Sequence, residues 1–444
     1  MQAAPDTTTP TIADILQHAM QDHGAGRFDD AQARYERILA AAPRQPDALH
    51  LFGLLEAQRG RHERAAEFMA LAIEAHPHEA MFHNNLGNVC IERSRFDEAE
   101  AHYMRAIELD PARLDALNNL GVLLSRRGHG EGAEKLLLKV IELAPDFADA
   151  RQNLANHYLR AGRLADAIQQ CFDGLIVAPR SAALRRMLGM AYSTMGMNTE
   201  AAAVYRAWLQ AEPDNPVAAF HLSACTGEDL PERAPDSYVT RVFDSFARTF
   251  DAKLADLSYK APELAVTALA RRLGAPARAL DVLDAGCGTG LCAPLLAPWA
   301  RRLCGVDLSE GMLHKAVARR LYDELVAGEL VAFLRERPAS FDLVVSTDTL
   351  IYFGPLDAAL AAAEAALRPA GWLFFTLEAL ADAADGPDIR LHEYGRYSHR
   401  RRYVEAALQR AGFDGLEIEP VVLRMEAGKP VDGWLVSART ARQP

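Results

Sequence analysis

The sequence predicts two folds in series: an all-helical repeat array, then an α/β domain built on a doubly wound, mainly parallel seven-stranded sheet. Three observations carry that expectation. Prolines recur at Pro43, Pro77, Pro111, Pro145, Pro179 and Pro213, a constant step of 34 residues. Between them apolar residues fall at helical spacing, as in Leu117, Leu120, Val122, Leu123 and Leu124. Past residue 236 the pattern changes to an apolar strand, a glycine-rich turn and a helix over 279–296.

The 444 residues suffice for two to four domains at roughly 100–200 residues each. Half are hydrophobic and 24% are charged, the balance of a globular chain. No apolar run approaches the roughly 18 residues of a membrane span, so no membrane insertion is expected. The amino-terminal stretch lacks the basic and apolar regions of a secretory signal. A net charge of −12 disfavours nucleic acid as a partner. Cys90, Cys171, Cys225, Cys287, Cys292 and Cys304 form no C-x-x-C pair, so neither a zinc cage nor a redox motif is indicated and no metal is expected. Scattered thiols point to a reducing, cytoplasmic compartment. Residues 237–444 hold 25 of the 48 basic and 27 of the 60 acidic residues, leaving 23 and 33, a net of −10, for residues 1–236.

Within each 34-residue unit the chemistry suits a helical hairpin. Twelve residues before each proline stands Ala31, Ala65, Ala99, Ala133, Ala167 or Ala201. Five residues earlier come Gly26, Gly60, Gly128, Gly162 and Gly196, with Ser94 in the remaining place, which frees the turn between helices. Gly53, Gly87, Gly121 and Gly189, replaced by Ala19 and Ala155, allow the two helices to approach closely. No single hairpin can bury its apolar face, so stacking supplies the core.

This pattern resembles the tetratricopeptide repeat family, in six units over 12–225 with a capping helix around Pro216, Phe220 and Leu222. The aromatic after the alanine is kept at Tyr35, Tyr103 and Tyr205 and replaced by Met69, Leu137 and Cys171. Residues 1–11 are expected to be a flexible terminus. The first helices of such repeats line a concave face, where Asn85, Asn119 and Asn153 repeat at 34-residue steps. An asparagine amide donates and accepts, matching a peptide unit. The resemblance to the repeats of O-linked N-acetylglucosamine transferase implies that these three bind a protein or peptide. Their other reading is a bridge between neighbouring helices.

The polar, proline-bearing stretch 226–236 reads as a linker, and 237–444 as the second domain, beginning with a helical cap over 237–275. Phe243, Phe246 and Phe250 lie at helical spacing, on a helix that either packs on the sheet or covers a cofactor. The strand 279–285 then runs into Gly286-Cys287-Gly288-Thr289-Gly290, whose glycines let a ligand approach the backbone. Leu291 stands where a dinucleotide fingerprint needs glycine or alanine, which speaks against pyrophosphate. A second strand ends in Asp307, placed to accept hydrogen bonds from ribose hydroxyls, and Ser309 caps the helix carrying Met312 and Ala316.

Here the chain resembles the class I S-adenosylmethionine-dependent methyltransferases, through Asp284-Ala-Gly-Cys-Gly-Thr-Gly290 and Asp307. The resemblance implies that Asp284, Gly286, Cys287, Gly288 and Gly290 pass the methionine part of S-adenosylmethionine and that Asp307 holds its ribose. It implies that Leu308, Met312, Glu329 and Leu330 flank its adenine and that Thr347 borders the site. The stretches 325–330 and 341–348 resemble the family's third and fourth strands, 367–376 its turn and fifth strand, and 421–424 with 433–437 its final antiparallel pair.

Methyl transfer chiefly needs alignment of the acceptor and exclusion of water, with a base only for a protonated acceptor. Asp348 and Tyr352 fall near the transferred methyl, or else cap a helix and form a wall. His399 has a suitable ordinary pKa for a base, or caps the following helix. The resulting expectation is a methyltransferase whose solenoid recruits a protein or peptide. Its rivals are a small-molecule methyltransferase using the solenoid for assembly, and a non-catalytic adaptor.

Overall fold

The computed structural model describes residues 10–381, 385–426 and 428–441. Over residues 1–9 the expected flexible terminus lies outside the described residues. Two compact units form, Met1–Ala161 with Gln169–Arg180 and Gly162–Ile168 with Ser181–Pro444.

In the first unit, helices of 13 and 14 residues alternate: Ile12–Gly24 with Phe28–Ala41, Pro46–Gln58 with His62–Ala75, Ala80–Glu92 with Phe96–Leu109, and Leu114–Arg126 with Gly130–Leu143. Thr11 opens the series with a capping box to Asp14. Each hairpin turns through one left-handed residue: Gly26, Gly60 and Gly128 at φ of +74°, +73° and +82°, and Ser94 at +58°. Glycine takes that conformation without steric cost.

The glycines inside the first helices answer to a different constraint. A Cβ on Gly53 would come within 2.8 Å of Met69, on Gly87 within 2.6 Å of Tyr103, and on Gly121 within 2.9 Å of Leu137. The large residue of each second helix packs against a bare backbone on the first. Ala31, Ala65, Ala99 and Ala133 are fully buried at the same crossings. Successive first helices touch one another from Ile12–Gly24 through Ala148–Arg160, so the asparagine positions of consecutive repeats adjoin.

The second unit opens with the last hairpin, Ala182–Thr194 and Asn198–Ala211. The capping helix Pro216–Thr226 follows, with the Asn215 side chain accepting from the Val217 and Ala218 N–H groups. The compact units therefore do not divide at 226–236. That segment is stitched down: the Tyr397 hydroxyl donates to the Pro231 carbonyl (2.6 Å), Gly354 N–H to Glu232 (2.8 Å) and Ala234 N–H to the Tyr352 carbonyl (2.7 Å). Its composition reads as a linker because composition does not reveal where backbone groups find partners.

Among the described residues the sheet has nine strands where seven were predicted: β1 (Leu280–Ala285), β2 (Ala300–Asp307), β3 (Glu324–Ala327), β4 (Phe341–Ser346), β5 (Leu367–Ala379), β6 (Ile389–Leu391), β7 (Tyr397–His399), β8 (Phe413–Glu426) and β9 (Lys429–Thr440). The extra two, β6 and β7, are three residues each and carry no period-2 signal of useful length. The order is β3-β2-β1-β4-β5-β7-β6, with β9 antiparallel to β5 and β8 to β9. β1 lies parallel between β2 and β4, the point at which the strand order reverses.

Both faces are buried, and alternate residues supply them. Val282, Leu343, Val345 and Phe374 pack with Ala265, Leu269 and Trp299. Leu283, Val344 and Phe375 pack on the opposite face with Leu360, Ala363, Val404 and Leu408. Among the described residues, no helix is long and apolar enough to cross a membrane. All six cysteines are free and buried.

Candidate active site

A cavity of about 300 Å³ opens at the carboxyl ends of β1, β2 and β4. The turn after β1 is pinned to β2. Gly286 and Cys287 donate their N–H groups to the Val306 carbonyl at 2.9 and 3.0 Å, and Gly288 donates to Asp307 Oδ2 at 2.9 Å. Gly286 sits at φ +76°, where a Cβ would also collide with Thr349. Gly288 sits at φ +54° with nothing within 4 Å of its Cβ position, so the backbone there faces open space.

Asp307 is half-buried at the end of β2. Its second oxygen accepts the Ser309 N–H at 2.9 Å. Burial pushes its carboxyl up, and the surrounding backbone N–H groups oppose that rise. Ser309 caps the helix Glu310–Ala318 as expected, accepting from Met312 at 3.1 Å. Glu329 caps the helix Leu330–Arg335 through the Val331 and Ala332 N–H groups. Gly286, Cys287, Gly288, Asp307, Leu308, Met312, Glu329, Leu330 and Thr347 all line the cavity.

Asp284 and Gly290 are absent from its lining. Asp284 is buried behind the turn, where it accepts from the Tyr322 hydroxyl at 2.6 Å and burial raises its carboxyl to about 7. Gly290, at φ +80°, abuts Arg319 and Tyr322. These two support the turn and do not face the cavity, a correction to their expected contact.

From two short helices, Asp236–Phe246 and Phe250–Asp256, with a tight turn at Ala247–Thr249 between them, and not from the one helix expected, the three aromatics come over the cavity. Phe243, Phe246 and Phe250 line it, with Phe243 edge-on to Tyr352 at 5.6 Å. Two carboxylates hold this lid down. Asp244 accepts from the Ser309 hydroxyl (2.5 Å) and Gly311 N–H (3.1 Å). Asp251 accepts from the Thr289 hydroxyl (2.5 Å) and from Arg319 (2.8 Å). Their spacing in sequence carried no signal of this role.

The same cavity meets a compact set of charges. Asp348, held left-handed at φ +52°, bonds Thr376 and receives Arg424 Nη1 at 2.6 Å. Arg424 also pairs with Glu378 and, at 2.7 Å, with Glu426. Arg396 reaches Glu378 at 2.6 Å and Glu426 at 2.8 Å. Burial pushes Asp348 up against the pull of Arg424. Burial also pushes Glu426 up, yet the two arginines outweigh it and leave that carboxyl below its ordinary range. Sequence reasoning missed Arg396, Arg424 and Glu426, since no local motif marks them.

Asp348 and Tyr352 line the cavity; His399 does not. His399 is fully buried in β7, with Nε2 donating to the Gly354 carbonyl at 2.7 Å. Burial lowers it to about 4, so it stays neutral and walled off, a correction to its candidacy as a base. Its pKa pointed to catalysis only while its burial was unknown.

In the repeats, the three expected asparagines adjoin the preceding first helix. Asn85 Nδ2 donates to His50 (2.9 Å), Asn119 Nδ2 to Asn84 and Asn88 (3.0 Å each), and Asn153 Nδ2 to Asn118 (2.9 Å). Burial lowers His50 to about 4, which keeps its ring neutral and able to accept. The amide donors are therefore engaged within the repeats. No hydrogen bond reaches the side-chain oxygens of Asn119 and Asn153 among the described residues.

Known proteins match the repeats and the sheet-bearing part of the chain separately. A family model described as a methyltransferase domain matches residues 257–418. Models described as tetratricopeptide repeats match residues 23–80, 80–112, 118–178 and 187–215. Ubiquinone biosynthesis O-methyltransferase of Thiobacillus denitrificans is 30% identical over 192 residues, 38% of this chain and 82% of that protein. Human methyltransferase-like protein 27 is 45% identical over 84 residues, 19% of this chain, which spans only 34% of that protein. Among solved structures, pilF of Pseudomonas aeruginosa has a TM-score of 0.41 at 17% identity, over 46% of this chain and 93% of that one.

Proposed function

The chain belongs to the methyltransferase family and carries tetratricopeptide repeats, and from that premise we propose that it transfers a methyl group from S-adenosylmethionine to an acceptor recruited by the repeats. One observation carries the cofactor assignment: half-buried Asp307 and the bare backbone of Gly288 border a single cavity. A nucleoside ribose suits the first and a close-lying aliphatic chain the second. The residues present therefore fit S-adenosylmethionine. Asp307 would hold its ribose, Leu308, Met312, Glu329 and Leu330 its adenine, and Gly286, Cys287, Gly288 and Thr347 its amino-acid part. When bound, that cofactor supplies an electrophilic methyl on a sulfonium.

The chain's own work is then positioning. Phe243, Phe246 and Phe250 exclude water. Tyr352 and the Asp348–Arg424 pair border the place an acceptor would occupy. No histidine lines the cavity among the described residues, which favours an acceptor that needs no strong base.

Protein or peptide recruitment falls to the repeats. The unengaged side-chain oxygens of Asn119 and Asn153 are the acceptors a peptide N–H would meet, with Asn85 between His50 and Asn84 ordering the row. The aromatic lining favours a second reading, a small apolar acceptor. Calorimetric titration with S-adenosylmethionine tests the core proposal. The wild-type chain should bind, and Asp307→Ala should weaken binding by roughly 10- to 100-fold, the worth of a charge-assisted hydrogen bond. Equal affinity in the two would overturn the assignment.

A further inference from the structure

The hairpin turn between β6 and β7 is gripped from two sides. On one side lies the capping helix. His221 Nδ1 donates to the Glu393 carbonyl at 2.9 Å, since a carbonyl can only accept. His221 is buried, stacked on Tyr205 at 5.4 Å and edge-on to Tyr238 at 5.8 Å. Gly395 lies against this group at φ +83°. A Cβ there would come 2.5 Å from the Tyr238 hydroxyl and 3.3 Å from His221 and Phe220.

On the other side, the residue after that glycine enters the cavity. Arg396 bonds Glu378 and Glu426 there, and the Tyr394 hydroxyl adds a 3.0 Å bond to Glu378. Glu378 and Glu426 are also the partners of Arg424, which holds Asp348. A continuous chain of contacts thus runs from the capping helix to the charged wall of the cavity.

We propose that His221 is a positioning residue for the acceptor wall: with Tyr238 it fixes the turn 392–396, the turn fixes Arg396, and Arg396 fixes Glu426 and Arg424. The capping helix of the repeats is then a working part of the catalytic unit. What the wall does rests on the methyl-transfer reading; the coupling itself does not.

Hydrogen–deuterium exchange on the full chain tests it without any acceptor. His221→Leu should speed exchange of 392–398 and of 422–426 by roughly fivefold or more, the worth of one net hydrogen bond, and leave 284–290 unchanged. His221→Asn, which keeps a donor near the Nδ1 position, should restore both segments. Arg396→Gln should speed 422–426 and leave 216–226 unchanged. A His221→Leu effect confined to 216–226 would overturn the proposal. So would wild-type exchange of 422–426 in Arg396→Gln, an arm that stands even if His221→Leu fails to fold. Failure of the wild-type chain to bind S-adenosylmethionine by calorimetry would instead remove the methyl-transfer reading and leave the exchange result intact.

Discussion

The helical hairpins and the strand ends satisfy their buried polar groups in opposite ways. In the hairpins the bonds repeat: Asn85 to His50, Asn119 to Asn84 and Asn153 to Asn118 each span 35 residues. At the strand ends each bond is unique, spanning 19 residues from Gly288 to Asp307 and 76 from Asp348 to Arg424. A repeated bond has equivalents on either side when one is lost. A unique one has none, and here three carboxylates share two arginines. The difference teaches where substitutions should hurt.

The largest loss is expected from Arg424→Met. It leaves Asp348 without its cation and Glu378 and Glu426 to Arg396 alone, and breaking a buried ion pair costs about 3–5 kcal/mol. Urea unfolding of the full chain checks this, and a loss below about 1 kcal/mol would show that the repeats and the wall do not differ in this way.

Next comes the combined variant Asn85→Ala, Asn119→Ala, Asn153→Ala. The four donor bonds lost cost about 0.5–1 kcal/mol each, in total about 2–4 kcal/mol. If the repeats recruit the acceptor, methylation of a protein substrate should also collapse while a small free acceptor is unaffected. Unchanged turnover of both would confine these residues to holding neighbouring helices.

Gly121→Ala should be milder. The added methyl meets Leu137, an overpacking cost of about 1–3 kcal/mol, and recovers about 1 kcal/mol of helix propensity. Adding Leu137→Ala should relieve the clash, so thermal melting of the double variant would deviate from additivity. Strict additivity would mean the crossing relaxes without help.

The smallest effect is a slope with pH. His50, His221 and His399 are all lowered by burial to about 4, so they stay neutral when folded and take up protons on unfolding between about 4 and 6.5. Stability therefore falls as pH drops through that window. Asp284, raised by burial to about 7, acts in the opposite sense and gains stability as pH falls from about 7 toward 3.8. His399→Gln should flatten the histidine slope by about 1 kcal/mol per pH unit below 6.5. Because His399 is walled off, the pH profile of methyl transfer should not move; a shifted profile would reopen its role as a base.

Much of the fold was legible because its causes are local or periodic. The turn glycines, the crossing glycines and the cap at Ser309 each depend on neighbours within a few residues or one repeat. The cofactor side of the cavity was legible for the same reason, since the β1 turn and Asp307 are successive strand ends. Arg396 and Arg424 escaped notice because their partners lie on other strands, and β6 and β7 because three residues are too few to show a period.

Sequence alone determined the 34-residue repeat, the two-fold order of helices then sheet, and the strand–turn–helix unit at Asp284 to Gly290. Those features follow from steric rules acting over short distances. Tertiary structure alone decided that His399 is core, that Asp284 stands behind its turn, that the repeat asparagines spend their donors on the preceding repeat, and that the capping helix grips the turn of Arg396. Each of those outcomes depends on which distant groups share a low-dielectric space, where an unpaired polar atom is costly and a partner decides the role.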